Sequence, residues 1–235
     1  MKDLTVKDVV LQKFKIEVGT QGAVSALLLC PPEARACFVF AHGAGAGMTH
    51  PAMDSVAIGL GERGIATLRY QFPYMEKGHK RPDPPAIAHA AVRAAVAQAA
   101  TSCAGLALFA GGKSFGGRMT SQAQAKAPLK DVQGLAFLGF PLHQSGQPSA
   151  ERAAHLAEVQ IPMLFLQGTN DQLAELDLLK PVVAALGRRA TLHLLQGADH
   201  SFHVPKRSDR TDREVMEEAL DMFAAWIGRI ATTKQ

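Results

Sequence analysis

Gly112, Ser114 and Gly116 form a Gly-x-Ser-x-Gly pattern that is typical of an enzyme nucleophile. A strand-like apolar run precedes this segment and a helix-like run follows it. Glycine is needed on both sides of such a serine because a side chain there would collide with the sharply turned backbone. We therefore predict that Ser114 is a nucleophile at the N-terminal end of a helix. A glycine-rich turn in which Ser114 only caps the helix is the alternative.

Two nucleotide-binding motifs overlap the glycine-rich segments of the chain, and neither is complete. A phosphate-binding loop that ends at Lys113 and Ser114 requires a glycine where Ala107 stands. The glycines at positions 43, 45 and 47 follow a strand-like run, but a dinucleotide-binding fingerprint requires a further glycine in place of Met48. Nucleotide binding is therefore the weaker hypothesis for both segments.

The segment His42-Gly43-Ala44-Gly45 directly follows a strand-like run. A serine hydrolase with strands and helices in this order takes one N–H of its oxyanion hole from this position and the other from the residue after the nucleophile. We therefore predict that the N–H groups of Ala44 and Phe115 bind the oxyanion, and that His42, Gly43 and Gly45 line the substrate site. A turn that merely needs a positive φ is the alternative.

An acid and a base follow Ser114 in the order that hydrolases with this nucleophile turn use. Asp171 comes just after one strand-like run and His200 just after the next. We predict that His200 is the general base and that Asp171 orients it. Asp199 is an awkward partner for the ring of its own neighbour, and we expect it to hold the loop. A lone Asp or His is usually structural, so this prediction depends on all of these positions together.

Short apolar runs alternate along the chain with segments of helical periodicity. Strands are predicted over 13–18, 23–30, 37–41, 66–70, 106–110, 134–140, 163–167 and 191–195. Helices are predicted over 51–63, 84–100, 114–127, 150–158, 173–186 and 212–230.

This order predicts an α/β fold with a doubly wound, mostly parallel sheet of eight strands. The first two runs alternate in polarity across a short turn, so we expect an antiparallel hairpin at one edge of the sheet. No linker divides residues 1–235, which we expect to form a single domain. The segment after the sixth strand leaves no room for a cap domain, and the proline-rich stretch 73–85 is expected to be a surface loop.

The composition of the chain excludes several classes of binding partner. The chain has 235 residues, 25 Lys plus Arg and 21 Asp plus Glu, and this net charge of +4 is too small to indicate nucleic-acid binding. No apolar run approaches the ~18 residues of a membrane span, and residues 1–15 lack the apolar stretch of a signal peptide. Three cysteines without a Cys-x-x-Cys pair suggest neither a disulfide framework nor a zinc site. We expect a cytoplasmic protein that binds no membrane.

Four motifs together resemble the α/β-hydrolase superfamily, over nearly the whole chain. They are similar to the small, lidless, dienelactone-hydrolase-like group, which also supplies the core of a chromatin-associated NSL-complex subunit. The motifs are His42-Gly43-Ala44-Gly45, Arg69-Tyr70-Gln71-Phe72-Pro73-Tyr74, Gly112-Lys113-Ser114-Phe115-Gly116-Gly117-Arg118-Met119 and Gly139-Phe140-Pro141-Leu142-His143. The resemblance implies a triad of Ser114, Asp171 and His200. Dienelactone hydrolases proper use a cysteine nucleophile, so their substrate does not carry over.

The expected reaction is hydrolysis of a small carboxylic ester through an acyl-enzyme, without a metal or organic cofactor. Tyr74, Leu142 and His143 are expected to line a shallow substrate site. Lys77, Lys80 and Arg81 in the loop beside it could draw in an anionic substrate, but a charged loop is more often simply solvated. Thioesterase and perhydrolase activity remain open. A catalytically silent hydrolase fold that serves as a binding or scaffolding module is the alternative from another class. The sequence predicts no oligomeric state.

Overall fold

The computed structural model describes residues 10–232. Residues 1–9, on which part of the expectation about a signal peptide rests, lie outside the described residues. The strands are β1 (Val10–Glu17), β2 (Ala23–Cys30), β3 (Ala36–Ala41), β4 (Ile65–Tyr70), β5 (Ala107–Lys113), β6 (Val132–Leu138), β7 (Met163–Gly168) and β8 (Ala190–Leu195). The α-helices are α1 (Pro51–Glu62), α2 (Pro73–Glu76), α3 (Pro85–Ser102), α4 (Phe115–Lys126), α5 (Leu176–Ala185) and α6 (Asp212–Thr232).

All eight strands belong to one sheet, in the order β1-β2-β4-β3-β5-β6-β7-β8. The β1–β2 and β2–β4 pairs are antiparallel, and every other pair is parallel. The predicted fold class and edge hairpin are therefore confirmed. Because β3 to β8 run in one direction, their carboxyl ends share one edge of the sheet, which is where ligands bind in such folds.

Helices cover both faces of the sheet, and alternate residues of each strand point into the two layers. In β3, Phe38 and Phe40 pack with α1 and α6, whereas Val39 packs on the opposite side with α3 and α4. This alternation follows from the two-residue period of a strand and explains why β3 is apolar throughout. Within residues 10–232, the helices lack the combination of length and apolarity that crossing a bilayer requires.

Two predicted segments differ from the structure. Residues 151–158 form a 3-10 helix rather than an α-helix, and its buried residues, Ala153 and Leu156, lie three apart, which suits a three-residue turn. The stretch 73–85 is not wholly a surface loop, because α2 begins at Pro73 and both Pro73 and Tyr74 are buried. Proline suits the first turn of a helix, where its missing N–H has no partner to lose.

Strand β5 also runs farther than the sequence suggests. Gly111 and Gly112 resemble the start of a turn, yet both pair with β3 on one side and β6 on the other. The strand therefore delivers the chain directly to Ser114.

The packing of α6 against the sheet should contribute strongly to stability. The ring of Phe223 on α6 is fully buried, with its centroid 4.8 Å from that of Phe38. Phe223→Ala removes these contacts and leaves a cavity, so we expect a loss of about 3–5 kcal/mol in the free energy of unfolding, measured by urea denaturation. Ile58→Ala is the control, since Ile58 is 43% exposed and should change it by less than about 0.5 kcal/mol. Similar losses in both variants would contradict this packing.

Candidate active site

Ser114 stands at the junction of β5 and α4 in an unusual backbone conformation. Its φ is +51°, although it is not a glycine, and its N–H donates to the carbonyl of Leu138 at 3.2 Å. A positive φ costs a side-chain-bearing residue free energy and is common where function requires a fixed geometry. The turn presents the Ser114 side chain at the N-terminal end of α4.

The glycines of the motif let two backbones approach each other. A Cβ on Gly112 would lie 2.3 Å from the carbonyl oxygen of Ala41, and one on Gly116 would lie 2.6 Å from the carbonyl oxygens of Ala41 and His42. Since real Cβ atoms do not come so close to backbone atoms, the turn excludes any larger residue at these two positions.

Ser114, His200 and Asp171 form one chain of hydrogen bonds. His200 Nε2 lies 2.8 Å from Ser114 Oγ, and His200 Nδ1 lies 2.7 Å from Asp171 Oδ2. Because a carboxylate accepts, the proton of a neutral ring is assigned to Nδ1, which leaves Nε2 free to accept from the serine hydroxyl. The structure thus brings the three predicted residues together in the order that proton transfer requires.

Asp171 is held by groups that the sequence analysis did not identify. Its side chain is fully buried, Oδ1 accepts from the Leu173 N–H at 2.8 Å, and Oδ2 also accepts from Gln167 Nε2. Gln167, itself buried, accepts from the Phe140 N–H at 2.8 Å through its amide oxygen. The amide side chain therefore connects the end of β7 to the segment after β6. In the sequence, the one sign of this role is that Gln167 is a polar residue at the end of an otherwise apolar strand.

The loop that carries His200 is attached to the loop that carries Asp171. The Gly197 N–H donates to Thr169 Oγ1 at 2.8 Å, and Asn170 Nδ2 donates to the Gly197 carbonyl at 2.9 Å. Asp199 Oδ1 accepts from the Ser201 N–H at 2.7 Å, which is the loop-holding role expected for it.

The segment predicted to form the oxyanion hole lies against the nucleophile. A Cβ on Gly43 would be 4.0 Å from Ser114 Cβ. The buried Tyr74 hydroxyl donates to the Ala44 carbonyl at 2.9 Å. Burial, and to a smaller extent the negative charge of Asp83, raise the pKa of Tyr74 to about 12, so the hydroxyl keeps its proton and stays a donor. Because the Ala44 carbonyl is fixed by Tyr74, the peptide that follows it has a defined orientation.

The chain that follows the oxyanion segment is also fixed, at Met48. The Met48 N–H donates to Gln71 Oε1 at 2.8 Å, and Arg69 Nη1 donates to the Met48 carbonyl at 3.1 Å. Arg69 is buried and forms an ion pair with Asp54 of α1. Within residues 10–232, the N–H groups of Ala44 and Phe115 donate to no protein acceptor.

Four side chains predicted to contact substrate are buried and engaged elsewhere, so the structure does not support that role. His42 uses Nδ1 with the Gly43 carbonyl and Nε2 as acceptor for the Phe72 N–H. His143 Nε2 contacts the Glu175 carboxylate, and its Nδ1 lies 2.8 Å from the Gln144 carbonyl oxygen. Tyr74 holds Ala44, as described above, and Leu142 is fully buried in the core. Of the predicted substrate-contacting residues, Gly43 and Gly45 remain accessible.

Two surface cavities flank this region. One of about 750 Å³ is lined by residues 79–84, from His79 to Pro84, within the basic proline-rich stretch. The other, of about 310 Å³, is lined by residues that include Asp171 and Glu175. Neither cavity is lined by Ser114 or His200, so neither encloses the serine hydroxyl.

Residues 34–228 match the protein family described as alpha/beta hydrolase domain. The matched range is most of the chain and contains every residue of the site, from His42 to His200.

Solved structures share the fold over nearly the whole chain. A dienelactone hydrolase from Anabaena variabilis is 20% identical with a TM-score of 0.76, over 94% of this chain and 98% of that one. A lidless serine hydrolase from Xanthomonas campestris is 19% identical with a TM-score of 0.70, over 90% and 92%. An esterase domain from a Rhodothermus marinus protein is 16% identical, also with a TM-score of 0.70, over 94% and 99%.

His42 should make the fold sensitive to acid. Burial lowers its pKa from 6.5 to about 4, so between these values the unfolded chain binds a proton that the folded chain does not. The free energy of unfolding should therefore fall from pH 7 to pH 5 by about 2 kcal/mol through this ring. Urea unfolding at both pH values measures the loss, and His42→Gln should lose about 2 kcal/mol less. Equal losses in the two proteins would contradict the assignment.

Gly116→Ala should destabilise the protein, although alanine normally stabilises a helix by about 1 kcal/mol relative to glycine. The reason is the clash with Ala41 and His42 described above, and we expect a loss of about 2 kcal/mol in urea unfolding. Gly228→Ala in α6 is the matched control, because among the described residues a Cβ there would meet no heavy atom within 4 Å beyond its chain neighbours and its own helix backbone. A stabilised Gly116→Ala protein would show that the turn tolerates a side chain.

Proposed function

Because the chain belongs to the alpha/beta hydrolase domain family, we propose that it is a serine esterase that cleaves small carboxylic esters. Ser114 is the nucleophile, His200 the general base and Asp171 the residue that orients it. The observation that carries the proposal is the continuous chain of hydrogen bonds through these three side chains, at 2.8 and 2.7 Å.

Acylation begins when Ser114 Oγ attacks the ester carbonyl and His200 Nε2 takes its proton. Asp171 stabilises the imidazolium that forms. The carbonyl oxygen becomes an oxyanion, which the N–H groups of Phe115 and Ala44 receive, helped by the positive end of the α4 dipole. Fixed donors stabilise this charge better than water because they need not reorganise during the reaction.

The tetrahedral intermediate collapses when the bond to the alcohol breaks and His200 gives its proton to the leaving oxygen. A water molecule then attacks the acyl-enzyme, with His200 again accepting a proton. Collapse of the second intermediate releases the acid and returns the proton to Ser114 Oγ. Each step uses side chains and backbone N–H groups of this chain.

The preference for small esters follows from the loops. Residues 139–150 join β6 to the 3-10 helix at Glu151–Glu158, and a connection of this length cannot form a cap over the serine. Long acyl chains would therefore remain largely in water and gain little binding energy. The lidless Xanthomonas campestris structure supports the same inference by its fold. A thioester presents the same carbonyl geometry and is the nearest alternative substrate class.

Treatment with a fluorophosphonate, read as added mass, tests the nucleophile. We expect labelling of the wild type and of Ser55→Ala, whose serine lies exposed on α1, and none of Ser114→Ala. Ser114→Ala and His200→Gln should each lower kcat/KM for nitrophenyl acetate by at least about 10³-fold, since the triad acts as a unit. Acetate and butyrate esters should be cleaved faster than octanoate.

An unlabelled wild type with a cooperative unfolding transition would contradict the proposal. The fold would then serve as a binding or scaffolding module. Labelling of Ser114→Ala at the wild-type rate would show that another residue reacts.

A further inference from the structure

Lys113, the last residue of β5, extends from the nucleophile to the loop of the general base. Its Nζ donates to the backbone carbonyl of His200 and lies 5.1 Å from the centre of the Phe202 ring. Within residues 10–232, no other side chain bonds to the backbone of His200. The neighbouring residues of that loop are held by other contacts, among them the Ala198 carbonyl, which accepts from the Asn170 N–H at 2.8 Å.

The space for this lysine is provided by glycines. A Cβ on Gly139, whose φ is +70°, would lie 2.8 Å from Lys113 Nζ and 3.1 Å from the His200 carbonyl oxygen. A Cβ on Gly43 would lie 3.7 Å from Lys113 Cγ. The stem of Lys113 therefore runs past the oxyanion segment, and its ammonium group ends beside the base.

The charge of Lys113 is costly in this position. Burial lowers the pKa of Lys113 to about 8, and the attraction of Asp171 and Asp199 opposes that shift. An apolar side chain of equal length would fill the same space without the desolvation cost but could not donate to the His200 carbonyl. The contact made by the ammonium group, rather than the volume of the side chain, distinguishes lysine here.

We propose that Lys113 is a positioning residue for the general base. Its ammonium group fixes the backbone of His200 and so holds the imidazole between Ser114 and Asp171. The role rests on the proposed function and deepens it, because the residue before the nucleophile also sets the position of the base. A displaced imidazole would take the serine proton less efficiently, while substrate binding would be unaffected.

Lys113→Met removes the donor and keeps an unbranched side chain that is one atom shorter. We expect kcat for nitrophenyl acetate to fall about 10- to 100-fold with KM within twofold of wild type. Lys126→Met, at an exposed position at the end of α4, is the matched control and should leave both constants unchanged. A loss expressed in KM, or no loss, would overturn the proposal.

A second comparison separates positioning from general damage. In a His200→Ala background, Lys113→Met should change the residual hydrolysis by less than twofold, because the base that it positions is absent. A loss as large as in the wild-type background would assign Lys113 a structural role and overturn the proposal.

Two further measurements keep the test decisive if Lys113→Met folds poorly or if esters are not cleaved. Gly139→Ala would place a Cβ 2.8 Å from Lys113 Nζ and 3.3 Å from His200 Cε1, so it should displace the ammonium group and the imidazole together and should lower kcat in the same way. In the resting protein, the NMR signal of the His200 Nδ1 proton, assigned by its loss in His200→Gln, should shift in Lys113→Met and in Gly139→Ala but not in Lys126→Met. An unshifted signal in a folded Lys113→Met protein, or in Gly139→Ala where Lys113→Met does not fold, would overturn the proposal independently of any activity. If the wild type cleaves no ester but the signal shifts in Lys113→Met, the failure lies in the proposed esterase reaction.

Discussion

The structure depends on one strained junction, the turn at Ser114 between β5 and α4. Its positive φ is maintained because β5 is a central strand, paired with β3 and β6, and because α4 packs into the core directly afterwards. The sheet and the helix layers fix both ends of the turn, so the residue between them cannot relax. This is why the motif needs glycine at 112 and 116, where backbones from β3 come within contact distance.

Around that junction, the loops of the site are held by polar side chains that are buried or half-buried. Tyr74 bonds to Ala44, and Gln71 and Arg69 bond to Met48, which follows the oxyanion segment. Gln167 bonds to Asp171, and Lys113 bonds to the backbone of His200. Each such group is costly to bury unless it is hydrogen-bonded, so each contact fixes a loop geometry that alternatives would leave unsatisfied. These contacts order the site in the protein without a ligand, which is the preorganisation that the proposed reaction requires.

Much of this was predictable from the sequence because strands, helices and glycine turns are local signals. Periodicity predicted all eight strands, and motif order predicted Ser114, Asp171 and His200, which follow the parallel strands β5, β7 and β8 and meet at one edge of the sheet. The contacts of His42 and Tyr74 were not predictable, because whether a polar ring faces substrate or backbone depends on residues thirty positions away. The role of Gln167 was not predictable either, because its bond to the Phe140 N–H joins residues 27 positions apart.

A crystal structure of the protein with a phosphonate on Ser114 would test the central claim most directly. We expect one phosphonyl oxygen to lie within hydrogen-bond distance of both the Phe115 and the Ala44 N–H groups, with His200 still bonded to Asp171. A phosphonyl oxygen that points to solvent, or an adduct on another residue, would contradict it.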